Sequence, residues 1–344
     1  MKLIVQIPCY NEESTLPLVL KTIPKKIKDI DIIETLIIDD GSRDKTYQIA
    51  KKYGVNHILR HRTNKGLARS FADGIHFALR QGADIIVNTD ADNQYPQTKI
   101  PQLIKPIMDG KADIVIADRQ TSKIKHFSPL KKLLQKLGSS VVRKLSGSHV
   151  PDAVSGFRAY SRNAALQLNI VTDFSYAIET IIQAEYKRIP ITSVKVSTNP
   201  PTRKSRLFKN IFQHIRQSSI TMLRVYTMYR PLTVFLIVGL FVGTIGSAAV
   251  IRFLYFLFLG QGAGHIQSII FGAVFIMVGV QIFMTGIVGD LIGINRRLTE
   301  DILRRMKNID LTQKKEEKIN NTLLEYVKRI NDISIHRINE KRIN

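Results

Sequence analysis

A single cysteine, Cys9, excludes an internal disulfide and suits a reducing compartment. The N-terminal stretch Met1-Lys2-Leu3-Ile4-Val5-Gln6-Ile7-Pro8 has too short an apolar run for a signal peptide. It reads as a first β-strand, which keeps the domain that follows in the cytoplasm. There is no internal repeat and no low-complexity tract, and 44% apolar residues is an ordinary globular share, so solenoids and disordered chains are excluded. Acidic residues are scarce. Against 28 Asp and Glu stand 51 Lys and Arg, a formal net charge of +23, which points to an acidic partner: nucleic acid, anionic lipid heads or a phosphorylated substrate.

What is abundant is apolar sequence between Leu232 and Ile294, and it favours the membrane among these partners. Leu232–Leu259 is one run, interrupted by Arg252 near its far end; Ile266–Ile294 is another, with Gln281 inside and Asp290 near its end. Each exceeds the ~20 residues needed to cross a bilayer. The connecting Gly260-Gln261-Gly262-Ala263-Gly264-His265 has no Lys or Arg, whereas Arg216, Arg224 and Arg230 precede the pair and Arg296, Arg297, Arg304 and Arg305 follow it. That asymmetry predicts both outer ends in the cytoplasm and an integral hairpin anchor. Gly239, Gly243 and Gly246 permit close helix packing, and with it a homo-oligomer through the membrane helices. Nucleic acid is excluded as a partner because the basic residues flank apolar stretches and no aromatic-rich binding motif accompanies them.

Before that hairpin, strand and helix patterns alternate. Strands are predicted at Leu3–Pro8, Ile33–Asp39, Val55–Leu59, Asp84–Thr89 and Asp113–Ala117. Helices are predicted at Glu12–Lys28 with Ser14 as N-cap, around Lys45–Tyr53, and at Leu67–Gln81 and Lys99–Asp109. Single helices between strands imply an α/β, Rossmann-like and mostly parallel sheet with helices on both faces, which binds ligands at the carboxyl ends of its strands. Residues 119–150 alternate basic and apolar positions at helical spacing, which fits a helix in the membrane interface or one packed on the sheet. The expected organisation is a catalytic domain over 1–205, a basic amphipathic juxtamembrane helix over 206–230, the two membrane helices over 231–295 (about 232–259 and 266–294) and a charged helical tail over 296–344.

The polar motifs fall at the strand ends. Asp90-Ala91-Asp92-Asn93-Gln94 follows the apolar run Ile85-Ile86-Val87, and two carboxylates two residues apart there suit Mg²⁺ or Mn²⁺ with its bound phosphates. Asp39-Asp40-Gly41-Ser42 closes another strand; its carboxylates either accept hydrogen bonds from a ribose or base, or form a turn capping the next helix. Asn64-Lys65-Gly66-Leu67-Ala68-Arg69 enters a helix and can offer backbone N–H groups and two cations to a diphosphate, or is an ordinary helix start. Ser155-Gly156-Phe157-Arg158, after Pro151-Asp152, reads as a turn-held arginine suited to phosphate, with Arg119 as its partner.

Taken in order, Pro8-Cys9-Tyr10-Asn11-Glu12, Ile38 to Ser42, Asp90 to Gln94 and Ser155 to Arg158 resemble the motifs of family 2 glycosyltransferases with a GT-A fold. More narrowly, the chain is similar to dolichol-phosphate mannose synthases and bacterial polyprenyl-phosphate glycosyltransferases. Asn199-Pro200-Pro201-Thr202-Arg203-Lys204-Ser205 and Asn295-Arg296-Arg297-Leu298 fit that branch. The resemblance implies that Pro8, Tyr10, Glu12, Asp39, Asp40 and Lys65 line the nucleotide-sugar pocket. It implies that Asp90, Asp92 and Gln94 manage the metal and diphosphate, with Asp92 and Gln94 on the metal. Arg119 and Arg158 would hold the lipid phosphate, and Arg203, Lys204 and Ser205 would close over the site. The implied donor is GDP-mannose or a UDP-hexose and the implied acceptor polyprenyl or dolichyl phosphate. Glu179 lies where relatives acting on hydroxyls place a catalytic carboxylate; here it serves that role or a structural one. Processive polysaccharide synthases of the family carry a Q-x-x-R-W acceptor motif, which a chain without tryptophan cannot have.

Overall fold

A computed structural model describes residues 1–120, 140, 150–171, 176–200 and 211–343. Most of the basic stretch over 119–150, and Arg203, Lys204 and Ser205, lie outside the described residues.

Apolar runs become strands where both of their faces are covered. β1 (Lys2–Cys9), β2 (Ile32–Asp39), β3 (His57–Arg60), β4 (Ile85–Asn88) and β5 (Ile114–Asp118) are the foreseen strands, joined in turn by α1 (Leu16–Thr22), α2 (Thr46–Lys52), α3 (Leu67–Arg80) and α4 (Ile100–Met108). The first helix is shorter than the periodicity suggests: Pro17 opens it, Thr15 rather than Ser14 is its N-cap, and it stops at Thr22, two residues before Pro24. Two further strands are β6 (Arg158–Ser161) and β7 (Ile191–Lys195), with α5 (Arg162–Gln167) and α6 (Tyr176–Tyr186) between them. The sheet order is β3-β2-β1-β4-β6-β5-β7, parallel except for β6, which runs antiparallel to β4 and β5. Two apolar clusters sandwich it. Phe71, Ile75, Ile178 and Ile181 of α3 and α6 pack on one face; Leu16, Val19, Ile100 and Leu103 of α1 and α4 pack on the other.

Register decides where the motifs meet. Cys9 pairs with Asp39, and Gln6 with Asn88, so the loops after β1, β2 and β4 leave the sheet side by side. The antiparallel β6 pairs its first residue, Arg158, with Asn88, the last of β4. Ser155-Gly156-Phe157 therefore enters the sheet at the same edge.

α7 (Ile211–Tyr229) leads into α8 (Pro231–Phe258) and α9 (Ile266–Ile343), so the second apolar run and the charged tail are one 78-residue helix. Both apolar helices are long enough to cross a membrane, yet only 11% and 17% of their apolar windows are buried within the protein. That exposure is wrong for the core of a soluble domain and right for a surface covered by lipid. Glycines let the two helices touch: a Cβ on Gly239 would lie 2.8 Å from the carbonyl oxygen of Gly279, and one on Gly246 2.8 Å from that of Gly272. Gly239 and Gly246 thus face the partner helix of their own chain, while Gly243 has open space where its Cβ would be.

The end of the helix pair next to α7 is tied to the α/β domain. Tyr229 lies against Tyr186 with ring centres 4.8 Å apart, and Arg296 stacks over Tyr229 at 4.2 Å. Glu300 accepts Lys187 and Arg296, each at 2.8 Å, and Lys307 donates to Asn169. α6 starts beside the motif loops and ends at this collar, about 15 Å away at the helical rise per residue.

Candidate active site

Asp90 and Asp92 stand on the loop that leaves β4, at the carboxyl edge of the sheet. The loop is shaped by its own backbone. Asn93 takes a left-handed conformation (φ 59°), which Asn tolerates better than most residues, and the Gln94 N–H turns back to Asp92 Oδ1 at 3.0 Å. From the end of the edge strand β7 Asn199 fastens it: its side chain donates to the Asn93 carbonyl at 2.9 Å and its N–H to the Gln94 carbonyl, also at 2.9 Å. The chain after β7 therefore holds the acidic loop in place, a role that the motif around Asn199 did not reveal.

Beneath the acids lies a buried polar ladder. Gln6 donates to Asn88 Oδ1 at 2.9 Å, and Asn88 Nδ2 donates to the Gly156 carbonyl at 2.9 Å and to Tyr176 Oη at 3.0 Å. The Gly156 N–H donates to Tyr95 Oη at 3.1 Å, and the Tyr95 ring stacks on Phe157. Burial pushes the Tyr95 hydroxyl up to about 12, so it stays protonated. Gly156 is thereby held by both its N–H and its carbonyl, directly against Asp90. The signal for this ladder is in the sequence: Gln6 and Asn88 are the polar residues inside apolar strands. Burial first, and then the adjacent Asp92, push Asp90 up to about 7, while Arg119 and Arg158 pull it back.

Two carboxylates close the next strand. Asp39 is fully buried; its Oδ1 accepts the Ser42 N–H at 2.9 Å, and its Oδ2 lies 3.1 Å from Arg60 Nε without hydrogen-bond geometry. Gly41 has a positive φ of 73°, and a Cβ there would lie 2.8 Å from the Thr63 carbonyl carbon. Only glycine lets these two loops touch. Asp40 accepts the backbone N–H groups of Lys65 and Gly66 at 2.8 and 2.9 Å, and His61 Nδ1 lies 2.7 Å from the same carboxylate. Those two amides belong to the loop expected to offer N–H groups to a diphosphate; here they hold Asp40. The Lys65 ammonium is half-exposed and 4.0 Å from Asp73. Pro8 is buried at the end of β1, Tyr10 is exposed on the loop beyond it, and Glu12 is buried with its carboxylate accepting Thr15 Oγ1 at 2.7 Å.

The arginines differ from a turn-held pair. Arg119 pairs with Asp152, Nε to Oδ2 at 2.6 Å and Nη2 to Oδ1 at 2.9 Å, a two-point clasp between residues 33 apart in sequence. Arg158 sits in β6, not in a turn, and is fully buried. Its guanidinium donates to the carbonyls of Ser155, Ala177 and Ala153 at 2.7, 2.8 and 2.8 Å and to Thr180 Oγ1 at 2.7 Å. The physical reason is pairing: β6 fills the gap between β4 and β5, so its first side chain points into the core under α6.

The chain also resembles known proteins in sequence and in fold. Residues 4–168 match the family model "Glycosyl transferase family 2". A UDP-N-acetylglucosamine–dolichyl-phosphate N-acetylglucosaminyltransferase of Methanococcus voltae is 30% identical over 217 residues, 56% of this chain and 83% of that protein. The chain belongs to glycosyltransferase family 2. An undecaprenyl-phosphate mannosyltransferase of Micrococcus luteus is 27% identical over 210 residues, 57% of this chain and 84% of the relative. In fold, this glycosyltransferase is similar to glucosyl-3-phosphoglycerate synthase from Mycobacterium tuberculosis, solved with Mn²⁺, UDP-glucose and phosphoglyceric acid, at TM-score 0.50 and 20% identity over 65% of this chain and 79% of that one. The sheet is therefore of GT-A type, as the motifs imply.

Glu179 and the acidic pair each have a defined setting. Glu179 is fully buried in the glycosyltransferase, its carboxylate accepting the Val171 N–H at 3.0 Å and Gln183 Nε2 at 3.2 Å, so it braces α6 against the chain before it. Among the described residues no cluster of three or more Asp, Glu, His or Cys forms a closed metal cage. An open pair such as Asp90 and Asp92 is the arrangement that Mg²⁺ or Mn²⁺ uses when substrate phosphates complete its shell.

Proposed function

We propose that this glycosyltransferase moves a hexose from a GDP- or UDP-linked donor onto the phosphate of polyprenyl or dolichyl phosphate, with inversion, at the cytoplasmic face of the membrane. One observation carries the reading: the chain that presents Asp90 and Asp92 at the sheet edge runs on into two exposed apolar helices, each long enough to cross a membrane, docked to the same domain. The acceptors named for the Methanococcus and Micrococcus relatives support it.

The site fits a divalent cation, because Asp90 and Asp92 stand two residues apart on the loop after β4, with oxygen donors that substrate phosphates can complete. Asp92, helped by Gln94, is the proposed ligand; when bound, the metal supplies Lewis-acid neutralisation of the departing diphosphate. Asp39 and Asp40, with Pro8, Tyr10, Glu12 and Lys65, border the nucleotide. The Asp39 Oδ2 without a hydrogen bond suits a donor from the base or ribose. Arg119, still carrying an Nη1 outside its clasp with Asp152, is the proposed contact for the acceptor phosphate. Arg158 contributes buried positive charge rather than contact, with Arg203, Lys204 and Ser205 proposed to close above. A phosphate monoester has a second pKa near ~6 and is largely dianionic at neutral pH, so it needs orientation more than a general base. The engaged carboxylate of Glu179 is consistent with that economy.

Full-length protein in detergent, with Mg²⁺ or Mn²⁺ and a panel of UDP- and GDP-sugars, tests the reading. Turnover of one donor only when a short polyprenyl phosphate is present is the expected result. Equal release of nucleoside diphosphate with and without lipid would refute the acceptor.

A further inference from the structure

Where the hairpin meets the catalytic domain there is a cleft of about 450 Å³, lined by Lys187, Arg188, Arg297, Arg304, Glu300 and Asp301. It is remote from the acids: Lys187 and Arg188 precede β7 and so lie at the amino end of the parallel strands, whereas Asp90 stands at the carboxyl end. The two carboxylates are already shared, Glu300 between Lys187 and Arg296 and Asp301 between Arg304 and Arg305. Arg188 and Arg297 have no carboxylate partner among the described residues. Arg297 instead lies over the Tyr186 ring at 4.9 Å.

Arg188 stands out for a second reason. It caps α6 in a left-handed conformation, φ 54°, with the Ile189 N–H returning to the Ala184 carbonyl at 2.8 Å. Glycine fills such a position with less strain. The chain accepts that strain and exposes a cation at the rim of the cleft. Depth agrees. Arg297 follows Ile294, the end of the second apolar run, by three residues, about 4.5 Å along the helix, and the headgroup layer is about 5–8 Å thick on each side.

We infer that this cleft binds the phosphate of an anionic glycerophospholipid from the inner leaflet, seating the catalytic domain on the membrane through Arg188 and Arg297. Basic pockets beside membrane helices on the cytoplasmic side hold such headgroups by charge and hydrogen bonding. The inference rests on α8 and the first part of α9 spanning the bilayer, and is separate from the choice of donor and acceptor.

The test uses full-length protein in neutral detergent and follows its thermal midpoint with dioctanoyl phosphatidylglycerol, dioctanoyl phosphatidylcholine, a short polyprenyl phosphate or inorganic phosphate. A saturable rise with phosphatidylglycerol, absent with phosphatidylcholine and inorganic phosphate, is expected. Arg188→Gly should keep the lipid-free midpoint at or above that of the parent, because the backbone is relieved. It should weaken phosphatidylglycerol about fivefold, the share of one interfacial cation. An equal response to phosphatidylcholine, a stronger response to inorganic phosphate or to polyprenyl phosphate, or unchanged affinity in Arg188→Gly would overturn the assignment. Flotation with pure phosphatidylcholine liposomes examines the hairpin alone; protein that stays at the bottom of the gradient would remove the foundation of the inference.

Discussion

Gly156→Ala probes the site through a single methyl group. A Cβ at Gly156 would lie 2.5 Å from Asp90 Oδ2, 2.9 Å from Oδ1 and 3.0 Å from Cγ, about 1 Å inside ordinary contact. The backbone cannot readily retreat, because its N–H is held by Tyr95 and its carbonyl by Asn88. The Asp90 carboxylate is the group in contact and must yield instead. A displacement near 1 Å at a reacting centre costs about 10²-fold in rate, or about 2.7 kcal/mol of barrier. The expected result is a kcat lower by about that factor and a raised Mn²⁺ requirement, with a thermal midpoint within a few degrees of the parent. Steady-state turnover over a metal titration, beside a melting curve, reads all three. Turnover within twofold of the parent at every metal concentration would show that Asp90 does not act from the position it holds.

Three other substitutions separate contact from support. Asp92→Ala should abolish metal-dependent transfer while the melting curve stays close to that of the parent; retained activity would remove Asp92 from the metal. Asn199→Ala releases the Asn93–Gln94 loop and should raise the metal concentration for half-activity roughly tenfold, in the range seen when a supporting partner of a ligand is lost. An unchanged metal dependence would show that the loop holds itself. Arg158→Met strands the carbonyls of Ala153, Ser155 and Ala177, so stability should fall by about 3 kcal/mol or more, a drop in Tm on the order of 10 °C. A variant that keeps its Tm and loses only acceptor affinity would make Arg158 the phosphate contact that its motif suggests.

The parts of the fold that could be read from sequence are those whose residues carry their own environment. β1, β2, β4 and β5 are rich in apolar residues because parallel strands are covered on both faces, and each ends in a polar motif at the binding edge. β6 and β7, sequences RAYS and ITSVK, have no such run and become strands through their neighbours; β6 is four residues wedged between β4 and β5. The same limit applies to the site. Asp90 and Asp92 announce themselves by spacing. The pairing of Arg119 with Asp152, the clamp of Asn199 and the burial of Arg158 depend on segments that only the folded sheet brings together. Gly156 reads as a turn residue in sequence, whereas in the fold its missing side chain is the space that Asp90 occupies.

The most direct test of the proposed chemistry compares two acceptors that differ by one phosphate. Full-length protein, its preferred nucleotide-sugar and Mg²⁺ or Mn²⁺ are incubated with a short polyprenyl phosphate or the matching polyprenol, and the glycolipid is identified by mass. A glycosyl phosphodiester from the first and no product from the second is the expected result. Transfer to polyprenol, or to a sugar hydroxyl in the absence of either lipid, would contradict it.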